Sequence, residues 1–464
     1  MTIKGGAVME VENRRWARLD NASNIFLAAR NDIDTKVFRF TAELNEAVDP
    51  ELLQEALLKT YNDYPLFQNT LRRGLFWYYL EPYEALPEVK KEYEPPCTQI
   101  YHYDRKEFLF RVLYFDNRVH LEAFHALTDG TGAFWFFEDL LAEYVRLKYT
   151  ESFEEEDSRT KREKADLEDS FRRYFKKKKK EVNIPTTNKP LEDMYIEHDL
   201  DEEKTPEPTD ETVKKKVYQI KGEKTPDHRP RVINVSLPVK PVLNLARTYN
   251  VSLTMYLTAL YMLAVYKAKE TKEEETTITT SIPINLRQFY PSVSVRNFFS
   301  TTTVSYTFKE NEEPNVEDIC QTIDTQFKAQ LDKEELENRL RRFIQFEFNP
   351  FTRVIFRPIK DFILKMVNKF NNRKVTIAMS NLGRANLPEE LARYIENIYF
   401  YTSVIRPQFC MISYAGKLNI SFTSPFIKTD SQREFVRLLT SQGIDVSIDS
   451  NKVTREELND DAVL

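Results

Sequence analysis

The sequence predicts an α/β (α+β) protein of two lobes, each a mixed sheet with flanking helices. Runs with strand periodicity and runs with helix periodicity mix in both halves of the chain. A stretch of opposed charge runs and prolines separates those halves, over about residues 151–228. The 464 residues are 41% hydrophobic and 13% aromatic, enough apolar surface for two cores at roughly 100–200 residues per domain. The expected division is an N-terminal lobe 1–150, a charged linker 151–228 and a C-terminal lobe 229–464.

In the first half, residues 14–30 read as a short extended piece leading into a helical turn. Lys36 to Glu43 carries Val37, Phe38, Phe40 and Ala42 in a strand. Asp49-Pro50 opens a helix, with Asp able to cap it and Pro suited to its first turn. Leu52, Leu53, Ala56, Leu57 and Tyr61 give that helix one apolar face, and Tyr64-Pro65 stops it. Leu71 to Glu81 reads as one strand bent at Gly74. A connector with Pro82, Pro87, Pro95 and Pro96 follows. Phe108 to Phe124 reads as a hairpin turning at Asp116-Asn117, and Thr131 to Tyr149 as a helix rich in Phe, Trp and Leu.

The linker is read from Glu154 to Asp157, Lys176 to Lys180 and the prolines Pro185, Pro190, Pro206 and Pro208, in surroundings poor in large apolar residues. Order resumes with a strand at Arg231 to Val239 and a short helix at Lys240 to Tyr249. A long apolar helix follows, capped by Ser252 and reaching about Lys269. Thr276 to Ile284 and the β-branched run Ser300 to Phe308 are strands. Helices are expected at 315–331 and 333–346, strands at 375–380, 397–404, 408–414 and 417–422, and a last helix near 430–441. Residues 355–374 are amphipathic and basic. Such a stretch suits a membrane surface, but the expectation is that its apolar side packs on the chain's own core.

Composition excludes several classes. A net charge of -6 leaves no basic footprint for nucleic acid. Cys97, Cys320 and Cys410 are far apart and form no CxxC, which argues against a disulfide framework and a zinc finger and for a reducing, cytoplasmic setting. The N-terminus lacks an apolar signal-like run. The most apolar run, Ser252 to Tyr266, is shorter than the ~20 residues a bilayer span needs. With nine glycines and Trp135 where a GxGxxG would need its last Gly, neither dinucleotide nor Walker-type phosphate loops are present.

The chemistry-bearing stretch is His125-Ala126-Leu127-Thr128-Asp129-Gly130, at the step from strand to helix. An imidazole titrates near neutral pH and suits a general base. From the residues alone the pair reads two ways: an acid/base station, or a half-buried histidine beside a plain Asp129 helix cap. His102 lies in a strand-like run, and His198 and His228 fall in or beside the linker. His120 stands five residues before His125, on the opposite face of the strand, so no shared metal site is expected.

His125-xxx-Asp129-Gly130 resembles the HHxxxDG motif of the chloramphenicol-acetyltransferase-like superfamily, in particular its bacterial alcohol acetyltransferase-like group. Tyr64-Pro65-Leu66-Phe67 is similar to that family's first-lobe Pro turn. Pro283-Ile284-Asn285-Leu286-Arg287 with Val295-Arg296-Asn297-Phe298-Phe299 resembles its PxNxR … GNxF segment, and Ser380-Asn381-Leu382-Gly383 its SNxG segment. The sequence departs from the family at Phe124, where the first His stands, at Arg296, where a Gly is expected, and in having no DFGWG segment. The resemblance implies two like lobes with a tunnel between them, and CoA-dependent acyl transfer to an alcohol. It implies His125 as base and Asp129 as a catalytic-motif residue paired with an arginine, Arg287 first and Arg72 second. Gly130 and Arg287 would support the loop, and Asn285, Asn297, Ser380 and Asn381 would face the channel. Acyl-CoA enters as substrate, with no metal and no nucleic acid. The alternatives are a condensation-type module served by an acyl carrier protein in trans, and a catalytically degenerate lobe pair that binds a lipid or a partner.

Overall fold

The structure is a computed structural model and describes residues 16–149, 169–175, 216–271, 274–310, 312–348 and 355–459. The charge runs and prolines of the expected linker, and His198, lie outside the described residues. The first half builds a five-stranded sheet around β2 (Val37–Leu44) and β7 (Arg118–Phe124), with β6 (Phe110–Phe115) and β5 (Val89–Lys91) beyond them. β5 lies in the connector that the prolines had marked as loop. The bent strand expected over Leu71 to Glu81 is instead a hairpin, β3 (Asn69–Arg73) and β4 (Tyr78–Pro82). Gly74 N–H donates to Trp77 O at 2.7 Å and closes its turn. With β1 (Ala17–Arg18) this hairpin forms a separate three-stranded sheet.

The second half builds a seven-stranded mixed sheet. It contains β8 (Arg231–Pro238), β9 (Thr276–Asn285), β10 (Phe299–Phe308), β11 (Ile377–Arg384), β13 (Gln408–Tyr414), β14 (Lys417–Ser424) and β15 (Ser447–Ser450), in the order β10-β9-β11-β13-β14-β8-β15. Helix Leu253–Lys267 is buried all round from Leu253 to Tyr266, which explains an apolar run without a polar stripe. It lies between the sheet and the helices Val316–Leu331 and Asp430–Thr440.

One element leaves its sequence half. Strand β12 (Ile395–Thr402) pairs antiparallel with β2, from Thr402↔Phe38 to Ile395↔Leu44, and so forms the outer strand of the first sheet. This makes β2 a central strand, buried on both faces. Phe38 and Phe40 meet Phe400, and Phe40 also packs on Phe134 and Phe137 of helix Gly130–Lys148. Arg39 on the other face is bonded to Glu122 at 2.7 Å, and Glu122 also accepts from Arg111 at 2.6 Å and from Cys97 N at 2.6 Å. Inside the segment expected to be a solvated linker, helix Ser170–Phe175 buries Phe171 and Phe175 against Tyr290, Phe298 and Leu340. Phe171, Tyr174 and Phe175 are spaced as one helical face, a signal masked by the lysine run beside them.

Candidate active site

β7 ends at Phe124, and His125 N–H continues the ladder by donating to Lys36 O at 2.8 Å. Side chains alternate along the strand. His120, Glu122 and Phe124 therefore share the face that carries Arg39, and Phe124 stacks on Tyr101 with ring centroids 5.7 Å apart. His125 points the other way, into a cavity of about 340 Å³ between the two large sheets. The position where the motif's first His is replaced by Phe124 thus faces away from the cavity. His120 is occupied separately, with Nδ1 2.9 Å from Thr41 Oγ1.

The His125 ring is walled by aromatic groups. Phe26 stacks on it at 3.9 Å between centroids, Phe38 meets it edge-on at 5.1 Å and Phe299 lies at 5.6 Å. Burial pushes its pKa down to about 4, against the pull of Asp129 in the other direction. The imidazole is therefore neutral at neutral pH. Asn297 decides which nitrogen carries the proton. Its amide Nδ2 donates to the backbone oxygen of His125 at 3.0 Å and to Ser23 Oγ at 2.9 Å. A carbonyl can only accept, so the amide cannot be flipped, and Asn297 Oδ1 is left 3.2 Å from His125 Nδ1. Nδ1 must donate there, which leaves the lone pair on Nε2, and no described residue bonds Nε2. Asn297 is 2% exposed and lies behind the ring rather than along the channel.

Asp129 does not face the ring's working edge. Its Oδ1 caps helix Gly130–Lys148 through Gly132 N–H at 2.9 Å. Its Oδ2 takes Arg287 Nη1 at 2.7 Å and Phe298 N–H at 2.8 Å. Arg287 then uses Nη2 on the carbonyls of Ser294 and Arg296, at 2.8 and 2.7 Å. Arg72, the second candidate partner, pairs with Glu81 at 3.2 Å. Both Asp129 and Arg287 are under a tenth exposed, so loss of one partner strands a buried charge, at about 3–5 kcal/mol. Thr128 Oγ1 adds a bond to Val295 O at 2.6 Å. The loop of one lobe is thus fastened to the 285–298 segment of the other.

Asn285, Ser380, Asn381 and Gly130 line the cavity. Asn285 accepts from Arg287 N–H at 3.1 Å and reaches Thr131 Oγ1 at 3.3 Å. Asn381 accepts from Gly383 N–H at 2.8 Å and donates to Thr254 at 3.0 Å, so each amide oxygen is held by its own loop and each amide nitrogen by a distant element. Arg296, the departure from a Gly, is buried and ties the N-terminal segment down through Arg18 O at 2.8 Å and Asp20 at 3.5 Å. Three participants were not found by sequence reasoning. Phe26 and the 402–406 stretch from the end of β12 line the cavity, but nothing local in their sequence announces that position. Gly132 is the third: a Cβ there would sit 2.3 Å from Val295 O. Phe134 and Phe136 pack in the core of the first lobe. Among the described residues no group of three or more His, Cys, Asp or Glu could hold a metal, and no helix is long and apolar enough to cross a membrane.

A family model described as alcohol acetyltransferase matches residues 116–442. No curated protein sequence matches the chain. Among solved structures, a trichothecene 15-O-acetyltransferase from Fusarium sporotrichioides superposes with a TM-score of 0.57 at 13% identity, covering 92% of this chain and 94% of that one. An F. sporotrichioides protein complexed with coenzyme A and T-2 gives 0.53 at 11%, covering 93% and 99%. The first condensation domain of the calcium-dependent antibiotic synthetase, in complex with a substrate analogue, gives 0.55 at 11%, covering 92% and 96%. At these identities the likeness establishes a shared two-lobed fold.

Proposed function

The chain belongs to the alcohol acetyltransferase family, and from that premise we infer that it moves an acyl group from acyl-CoA to the hydroxyl of an alcohol, with His125 as general base. The observation that carries the reading is the His125 tautomer: Asn297 holds Nδ1, and the neutral ring offers Nε2 to the cavity. In the proposed cycle Nε2 takes the proton as the acceptor oxygen attacks the thioester carbonyl. The tetrahedral intermediate collapses, the C–S bond breaks, and the imidazolium returns the proton to the leaving thiolate. No acyl-enzyme forms. Asp129 and Arg287 act as positioning residues that keep the loop and Asn297's segment in register.

The test is thiol release from acetyl-CoA and longer acyl-CoAs with a panel of alcohols. Replacing His125→Ala is expected to lower turnover by about 10²–10⁴-fold with folding intact, and unchanged turnover would sink the mechanism. A second reading, acyl or peptidyl transfer from a carrier protein, draws support from the fold shared with the condensation domain. It predicts turnover with acyl-phosphopantetheinyl carrier and none with CoA esters.

A further inference from the structure

Helix Arg357–Asn372 stands with its apolar side outward. Ile359, Phe362, Ile363, Met366, Val367 and Phe370 are between 37% and 64% exposed. The opposite side, with Arg357, Asp361, Leu364 and Asn368, rests on the protein beside helix Asn21–Ala29. This is the reverse of the sequence expectation and of the usual surface helix, which turns its apolar stripe to the core. Specific bonds hold the inversion. Arg357 donates from N to Leu75 O at 3.3 Å and from Nη1 to Gly74 O at 2.6 Å, and Tyr78 Oη bonds Asp361 Oδ2 at 2.8 Å. The helix is therefore pinned by its polar side. Leu75 and Phe76 in the β3–β4 turn, 61% and 36% exposed, extend the apolar surface at its N-terminal end.

The charge on this helix also runs against the rest of the chain. It carries Arg357, Lys360, Lys365 and Lys369 against Asp361 alone, in a protein of net charge -6. At about 100° per residue, Lys365 and Lys369 fall along one border of the apolar face and Lys360 along the other. Lys360 is held over the Trp77 ring at 4.1 Å, and the ridge of Phe, Ile, Met and Val edged by the exposed Lys365 and Lys369 suits an interface between headgroups and acyl chains. There the apolar side enters the boundary and the ammonium groups reach back to anionic phosphates. The far end of the helix, Asn372, lines the same cavity as His125. We propose that this face docks the protein on an anionic lipid bilayer.

The inference is independent of turnover, so the experiment measures binding only. The full chain is floated with vesicles of phosphatidylcholine containing phosphatidylglycerol, and with phosphatidylcholine alone. The expected result is association with the anionic vesicles that weakens with salt. It is reduced on the order of 10-fold or more by Lys365→Glu with Lys369→Glu, and lost in Phe362→Glu with Phe370→Glu. All four side chains are exposed, and circular dichroism checks that each variant is folded. Failure of the wild type to float overturns the proposal, as does flotation indifferent to both variant pairs. A dimer in gel filtration that Phe362→Glu with Phe370→Glu dissolves overturns it too, because the face then belongs to a second copy.

Discussion

At the scale of single residues, the working state of His125 is set by its neighbours rather than by its own pKa. Phe26, Phe38 and Phe299 remove water from the ring, and the charged form loses most. Its folded pKa, about 4, lies below the unfolded value of about 6.5. For a base depressed in this way the unfolded chain binds the extra proton first. This group's contribution to stability is therefore constant above about pH 6.5, falls as pH drops toward 4, and levels off below. The same shift governs rate. The acid limb of kcat/KM is expected well below 6, near 4, for as long as the chain stays folded, and a pH profile with an uncharged acceptor measures it. A limb at about 6.5 would mean that the ring is solvated in the working enzyme. His125 and Asp129 were legible in the sequence because strand end, turn and helix cap are local patterns. Asn297's part was not: it needs a contact across 172 residues that no periodicity encodes.

At the scale of elements, the start of helix Gly130–Lys148 shows which motif residue the packing demands. The sequence drew attention to Gly130, whose Cβ would press only on Leu382 Cδ2, the end of a side chain that can swing, at 2.9 Å, with Phe400 Cζ at an ordinary contact distance of 3.6 Å. Gly132 is tighter: a Cβ there would lie 2.3 Å from Val295 O and 2.5 Å from Thr128 Oγ1. Glycine to alanine in a helix ordinarily gains about 1 kcal/mol. Here the sign should invert, because the clash is with backbone of the other lobe. Gly132→Ala is expected to cost about 1–3 kcal/mol in chemical denaturation and to loosen the Thr128–Val295 bond. Gly130→Ala should stay near neutral. The elements were mostly legible, since caps such as Asp49, Ser252 and Asp129 and the strand alternation are written locally. What amphipathicity cannot state is direction. Residues 355–374 had a plain apolar face, but only the bonds of Arg357 and Asp361 reveal that it points away from the core.

At the scale of the molecule, the lobes are joined by more than a chain. β12 arrives from the C-terminal half to close the first sheet, and Phe400 stacks on Phe40 at 4.8 Å between centroids. Without it β2 would present an unpaired edge of buried apolar residues, the kind of strand that aggregates. The stretch after β12, Ser403 to Arg406, then walls the cavity before the chain returns to the second sheet at β13. Asp129, Arg287 and Thr128 fasten the seam from the other side. Neither half holds a complete site, and the five-stranded sheet of the first half is closed only by β12, so the two lobes should unfold together. The sequence supplies a probe for this, because Trp16, Trp77 and Trp135 all lie in the first half while far-ultraviolet circular dichroism reports both. Denaturant titrations followed by tryptophan fluorescence and by circular dichroism are expected to coincide in midpoint and slope. A fluorescence transition clearly separated from the dichroism curve would show lobes that fold independently, and would leave β12 a dispensable strap rather than a structural strand of the first lobe.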